Sequence, residues 1–233
     1  MTTITARCHP LLEPILPRPQ LAGRALPDWL RDMPSEVDAA SLGGAPVRTL
    51  KHCPPFIDAL AMGIVIPLAT DLTIEDGQIS WDWDPPLLPD SPQTRAPIGL
   101  HVPEQASGVP LRLPPGQMVV KFTNFWSLQA PEGWDLLFTH PLNRADLPFQ
   151  TLSGKVSGDA FGMGNVHFPA LWTDPGFSGT LPAGTPVAQV IPVPRGKTEL
   201  GIAPMSDEEV TENTRIHAAL QDAPGHYRKT FRR

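Results

Sequence analysis

A chain of 233 residues suits one large β-rich domain, and its net charge of −6, from 18 Lys and Arg against 24 Asp and Glu, opposes docking on a phosphate backbone. Thirty prolines and nineteen glycines exclude long uninterrupted helices over most of the chain. Two widely spaced cysteines, Cys8 and Cys53, do not make a disulfide scaffold and fit a reducing, cytoplasmic setting. The expected partner is therefore a small-molecule ligand, not nucleic acid or a membrane. No run approaches the roughly 18 apolar residues of a bilayer span, and the proline-broken first residues do not read as a signal peptide.

In chain order, residues 1–26 form a proline-rich arm, expected to be extended, and 27–204 the β-rich core domain. Pro27 followed by Asp28, Trp29 and Leu30 predicts a short helix closed by Pro34, and residues 35–46 read as a loop. Pro55 opens a second short helix that Gly63 ends. Residues 64–71 have the β-branched content of a buried strand, and the alternation on either side of Asp76-Gly77 predicts a β-hairpin. After a loop with five prolines (84–97), residues 99–103 and 117–124 are the next strands.

Residues 134–195 then hold three apolar runs read as strands: 134–140, 166–172 and 185–193. Each is bounded by Pro, Gly or Asp, and the prolines within them predict edges or bulges. In the last segment, 205–233, Ser206 and Glu209 spell a capping box ahead of Val210, Ile216, Ala219 and Leu220, which predicts a helix with an acidic first turn. A tail with four basic residues follows, able to reach a neighbouring subunit or an anionic ligand. The fold class is mainly β: a single distorted barrel or sandwich with few short helices and one C-terminal helix.

The densest chemistry lies at His140, Asn143, Arg144 and Asp146, where a proline-containing turn after an apolar strand offers a base, an amide, a planar anion-binding fork and a carboxylate. The bland reading is an Arg144–Asp146 surface pair with His140 bonded to backbone. His101, His140 and His167 each lie in or beside a strand, and their convergence would hold a divalent metal, Zn, Fe or Mn, with Glu104 or Asp146 as a further ligand. Tight HxH or HxxxH spacing is absent. Cys53, after Lys51 and His52, is a candidate thiolate with a buried structural cysteine as its alternative. Ser153-Gly154 can present a hydroxyl and amides to an anion. Trp81 with Trp83, and Phe122 with Phe125 and Trp126, line either a flat-ligand pocket or the core.

The phrases KHCPPFIDA, LFTHPLNRADLPF, TLSG, VHFP and GTPVAQVIP resemble a family of bacterial and phage proteins of unassigned function. A second similarity is to the dUTPase and dCTP deaminase superfamily, carried by SGKVSGDAF (153–161), FSGTL (177–181) and GTPVAQ (184–189) in the same order. That resemblance implies a compact, mostly antiparallel β subunit and a homo-oligomer, a trimer. It implies a nucleotide or other anionic metabolite as ligand, bound by Asn143, Arg144, Asp146, Ser153 and Gln189, with His140 or Asp159 as the base if a reaction occurs. Ser157 stands where the superfamily's water-activating aspartate is expected, no Arg-Ser-Ser lies near the 140–144 turn, and the glycine-rich C-terminal flap is missing. Two other readings remain open: a metal-dependent tailoring enzyme such as an oxygenase, with His101, His140 and His167 as ligands, and a non-catalytic structural or assembly protein.

Overall fold

The computed structural model describes residues 2–89, 91–108, 119–222 and 225–232. The chain forms two units, Met1–Asp32 with Asp58–Arg195, and Met33–Ile57 with Gly196–Arg233. The protein is mainly β, with short helices and one long C-terminal helix.

The first unit is built on a five-stranded antiparallel sheet, in the order Gly154–Ser157, Trp134–Thr139, Pro186–Pro194, Ile64–Pro67, Gln20–Leu21. A four-stranded sheet runs in the order Phe149–Thr151, Phe168–Trp172, Val119–Phe122, Ile98–His101, and a three-stranded one in the order Gly179–Leu181, Leu72–Glu75, Gln78–Ser80. Every sheet has two free edges, so among the described residues no barrel closes. Phe122, Phe138, Phe149, Phe168, Leu72, Leu136 and Val187 are buried together in one core. Each such side chain contributes about 1.5–3 kcal/mol on burial, more than the roughly 1 kcal/mol of a typical single hydrogen bond. Phe122 is therefore core, while Phe125 and Trp126 belong to a second cluster with Leu12, Leu16 and Ala69, where Trp83 meets Phe125 edge-on at 5.1 Å.

The Asp76-Gly77 hairpin forms as expected: both residues have positive φ, 49° and 74°, which a two-residue turn of primed type requires. The strand Pro186–Pro194 is interior and not at an edge. Its register explains why the prolines are tolerated: Ile64–Pro67 pairs only with residues 186–190, and Trp134–Thr139 only with 189–194. Pro186, Pro192 and Pro194 thus each have a paired strand on one flank alone, and a bulge falls between Pro186 and Ala188. The N-terminal segment lies on its own unit: Thr5–Arg7 pairs with Ser127–Gln129, and Leu12 and Leu16 are buried.

In the second unit, residues read as a loop form a hairpin, Glu36–Ala39 with Ala45–Arg48, whose Gly43 and Gly44 take positive φ. Its strands are mostly exposed, so they carry no alternating apolar signal. The helix Asp207–Asp222 starts on the expected capping box: Ser206 N–H donates to the Glu209 carboxylate (2.7 Å), and Glu209 N–H donates to Ser206 Oγ (3.3 Å).

Gly63 has φ of 71°, and a Cβ there would sit 2.1 Å from the Val190 carbonyl oxygen. Gly63→Ala is expected to destabilise the protein by about 2 kcal/mol or more, read from urea unfolding, because it adds a backbone clash to an unfavourable φ.

Candidate functional site

The turn after the strand Trp134–Thr139 is set by Pro141 and by Asn143, whose φ of 58° is tolerated by an asparagine. The amide of Arg144 donates to the Pro141 carbonyl at 3.2 Å. His140 is half-buried against the edge of Phe149. Its Nδ1 lies 3.2 Å from the Thr151 amide, and its Nε2 3.0 Å from the Arg144 carbonyl. Since the Thr151 N–H can only donate, Nδ1 accepts and Nε2 carries the proton to Arg144, which fixes a neutral tautomer with both nitrogens occupied. Burial lowers the His140 pKa, and the hydrogen bond to the Arg144 carbonyl only partly offsets this.

Arg144 is spent nearby. Its Nε (2.8 and 3.2 Å) and Nη2 (2.8 Å) grip the Asp146 carboxylate, and only 12% of its side chain is exposed. Burial would raise the Asp146 carboxyl, but the hydrogen bonds and charge of Arg144 outweigh it and hold the group below the usual range. Gln189, 1% exposed, donates from Nε2 to the carbonyls of Ala59 (3.0 Å) and Met62 (2.6 Å) and accepts the Leu142 amide at 2.8 Å. Ser153 is exposed, its Oγ 2.9 Å from Thr139 Oγ1. His140, Asn143, Arg144, Asp146 and Gln189 are thus brought to one corner, where His140, Arg144 and Gln189 serve as internal ties.

Asp159 belongs to a different cluster. Arg195 donates to both its oxygens (2.6 and 3.1 Å), and the amides of Gly133 and Ala160 donate as well. These bonds, the Arg195 pair foremost, lower its pKa to about 2, too weak a base to draw a proton near neutrality. Arg195 Nε also reaches Asp135 at 2.9 Å, and Lys155 pairs with the same carboxylate, so a side chain 5% exposed inside an apolar strand stays ionised. Asp135 and Arg195 went unnoticed in the sequence. A carboxylate within the run WDLLFT is the one signal that a cation had to be supplied from elsewhere.

The three histidines are partnered separately. His101 Nδ1 lies 3.1 Å from Gln105 Oε1, and His167 Nδ1 accepts the Asn124 amide at 3.1 Å. Among the described residues no three His, Cys, Asp or Glu side chains are grouped to hold a metal ion. Cys53 is half-buried, and Lys51 Nζ donates to the Met33 carbonyl.

A groove of about 680 Å³ lies along the N-terminal segment, lined by Arg7, Cys8, Glu13, Arg18 and Trp126. Trp126 is fixed as one wall: its Nε1–H donates to the Pro17 carbonyl (3.1 Å), and its backbone exchanges two hydrogen bonds with the Asn124 carboxamide (2.8 and 2.9 Å). Arg7 donates to Gln129 Oε1 at 2.9 Å, and Arg18 pairs with Glu13 while remaining 74% exposed. Burial, and then the Glu13 charge, push the Cys8 thiol above its ordinary pKa despite Arg18, so it stays protonated at neutral pH and is a poor nucleophile. The sequence marks Trp126 as a pocket or core aromatic, but Arg7, Glu13 and Arg18 carry no such signal because proline-rich termini are commonly loose.

No family model matches the chain, and no curated protein matches it either, so the resemblance to a bacterial and phage family finds no support there. Among solved structures, a Staphylococcus bacteriophage 80alpha dUTPase with dUpNHpp aligns over 88% of this chain and 99% of its own, at 12% identity and a TM-score of 0.38. The dUTPase of phage phi11 of S. aureus aligns over 87% and 97%, at 13% identity and the same TM-score of 0.38. Likeness this slight identifies neither an activity nor a substrate. No helix among the described residues is long and apolar enough to cross a membrane.

His140→Phe is expected to cost about 2–3 kcal/mol of stability in chemical denaturation, because it strands the buried Thr151 amide. For Arg195→Ala, the stability difference from wild type should be full above the unfolded carboxylate pKa of about 4 and should close as pH falls toward about 2, since the carboxylates it holds have lowered folded-state pKa values. A difference independent of pH would contradict that assignment.

Proposed function

We propose that this protein binds a small anionic ligand in the groove of its N-terminal segment and that it is a binding protein, not an acid–base catalyst. The observation that carries the reading is the placement of Arg7 and Arg18 along one open surface groove beside Trp126. Two guanidinium groups against the one carboxylate of Glu13 leave a local excess of positive charge on an acidic protein, and a guanidinium fork suits carboxylate and phosphate oxygens. The Glu13–Arg18 pair is exposed, so exchanging its carboxylate for that of a ligand costs little.

The absence of a catalytic role is supported by the state of the titratable groups. His140 has both nitrogens occupied, Asp159 is held as a weak base by Arg195, and Cys8 retains its proton. The anion class includes nucleotides, and the resemblance seen in the sequence makes dUTP and dCTP the first ligands to try.

Calorimetric titration with nucleoside triphosphates, dicarboxylates and inorganic phosphate is expected to give heat for at least one of them. Arg7→Ala and Arg18→Ala should each weaken that binding about tenfold, or ~1.4 kcal/mol, whereas Arg144→Lys should leave it unchanged. No heat from any ligand, or full affinity in the Arg7→Ala/Arg18→Ala variant, would overturn the proposal.

A further inference from the structure

The groove at Arg7 and Arg18 contains an anion of its own, the Glu13 carboxylate. Glu13 and Arg18 lie five residues apart on a segment whose path is set by packing and backbone hydrogen bonds. Leu12 and Leu16 are buried, the Glu13 amide donates to the His9 carbonyl (3.2 Å), the Leu16 amide to the Leu12 carbonyl (3.1 Å), and Trp126 Nε1–H to the Pro17 carbonyl. The anchored turn brings the two side chains together, and Arg18 Nη2 donates to Glu13 Oε1.

The two cations are therefore not equivalent. Arg7 donates to a neutral acceptor, Gln129 Oε1, and forms no ion pair among the described residues. Arg18 is neutralised by Glu13, although its Nε and Nη1 have no acceptor among the described residues. An anion that engages both guanidinium groups must take Arg18 from Glu13, which competes from within the chain. A free carboxylate brings Arg18 no more than Glu13 already supplies. A phosphoryl group brings a charge of about −1.5 to −2 at pH 7 and three acceptor oxygens, which suit a guanidinium fork better. The displacement requires only the rotation of an exposed side chain, since Leu12, Leu16 and Pro17 keep the backbone in place.

We infer, on the anion-binding reading of this groove, that Glu13 is an internal competitor for Arg18 and that the ligand is a small anion carrying a phosphoryl group. Glu13 weakens by the same factor every ligand that takes Arg18. It thus sets a threshold that a phosphoryl group passes and a single carboxylate does not.

NMR titrations of the full chain with pyrophosphate and with acetate test this on wild type, Glu13→Gln, Arg18→Ala and the double variant, because they read weak dissociation constants as well as strong ones. Pyrophosphate is expected to bind wild type at least about tenfold more tightly than acetate. Glu13→Gln should tighten pyrophosphate about two- to fivefold, the range of an exposed ion pair. In the Arg18→Ala background the same substitution should change nothing, whereas a long-range effect of the Glu13 charge would persist there. Three results would each overturn the inference while leaving the groove an anion site: a Glu13→Gln variant that binds no more tightly than wild type, an equal gain without Arg18, or acetate bound as tightly as pyrophosphate. No shifts at the groove with either anion, in wild type and in Glu13→Gln alike, would overturn the anion-binding reading as well.

Discussion

The first unit depends on the carboxamide of Gln189. Buried at the centre of the five-stranded sheet, opposite Thr139 on one side and Val65 on the other, it ties three backbone groups on two segments that no ladder joins: the Leu142 amide in the turn and the carbonyls of Ala59 and Met62. A backbone group buried without a partner costs about 1–3 kcal/mol, and Gln189, itself 1% exposed, partners the Leu142 amide and shares the Ala59 carbonyl with the Met62 amide. A carboxamide has one acceptor and two donors to offer, and this corner requires that set. Gly63 completes it by letting the chain pass against Val190, where a side chain would collide.

From this follows a division between polar groups that hold the fold and those that remain available. His140, Arg144 and Asp146 close on themselves beside Gln189. Asp135, Asp159, Lys155 and Arg195 form a second node that joins three strands at the other end of Trp134–Thr139. Both nodes look chemical when taken as residue types, but their donors and acceptors are matched internally, which is what burial demands. The groove at Arg7, Arg18 and Trp126 differs in being open and only loosely paired.

Much of the fold was legible because its signals are local: the Asp76-Gly77 turn, the Ser206–Glu209 box, and the apolar runs around Leu136 and Ile66. What was misread depended on partners distant in sequence. Whether Pro192 lies at an edge is decided by where Ile64–Pro67 stops pairing, and no local pattern reports that. The hairpin across Gly43 and Gly44 was hidden because its strands are mostly exposed. The candidate site was legible as a cluster, since His140, Asn143, Arg144 and Asp146 do share a corner. Its role was not, because the groups that occupy His140 and Gln189 are backbone atoms, which every residue carries.

The central claim is that the corner at His140 is a structural tie and not a reactive loop. The imidazole ¹⁵N resonances of His140, followed by NMR from neutral pH downward, test it directly. The geometry requires the Nε2–H tautomer and a neutral ring that persists below the ordinary histidine pKa of about 6.5. A ring that carries its proton on Nδ1, or that titrates at or above that value, would contradict it.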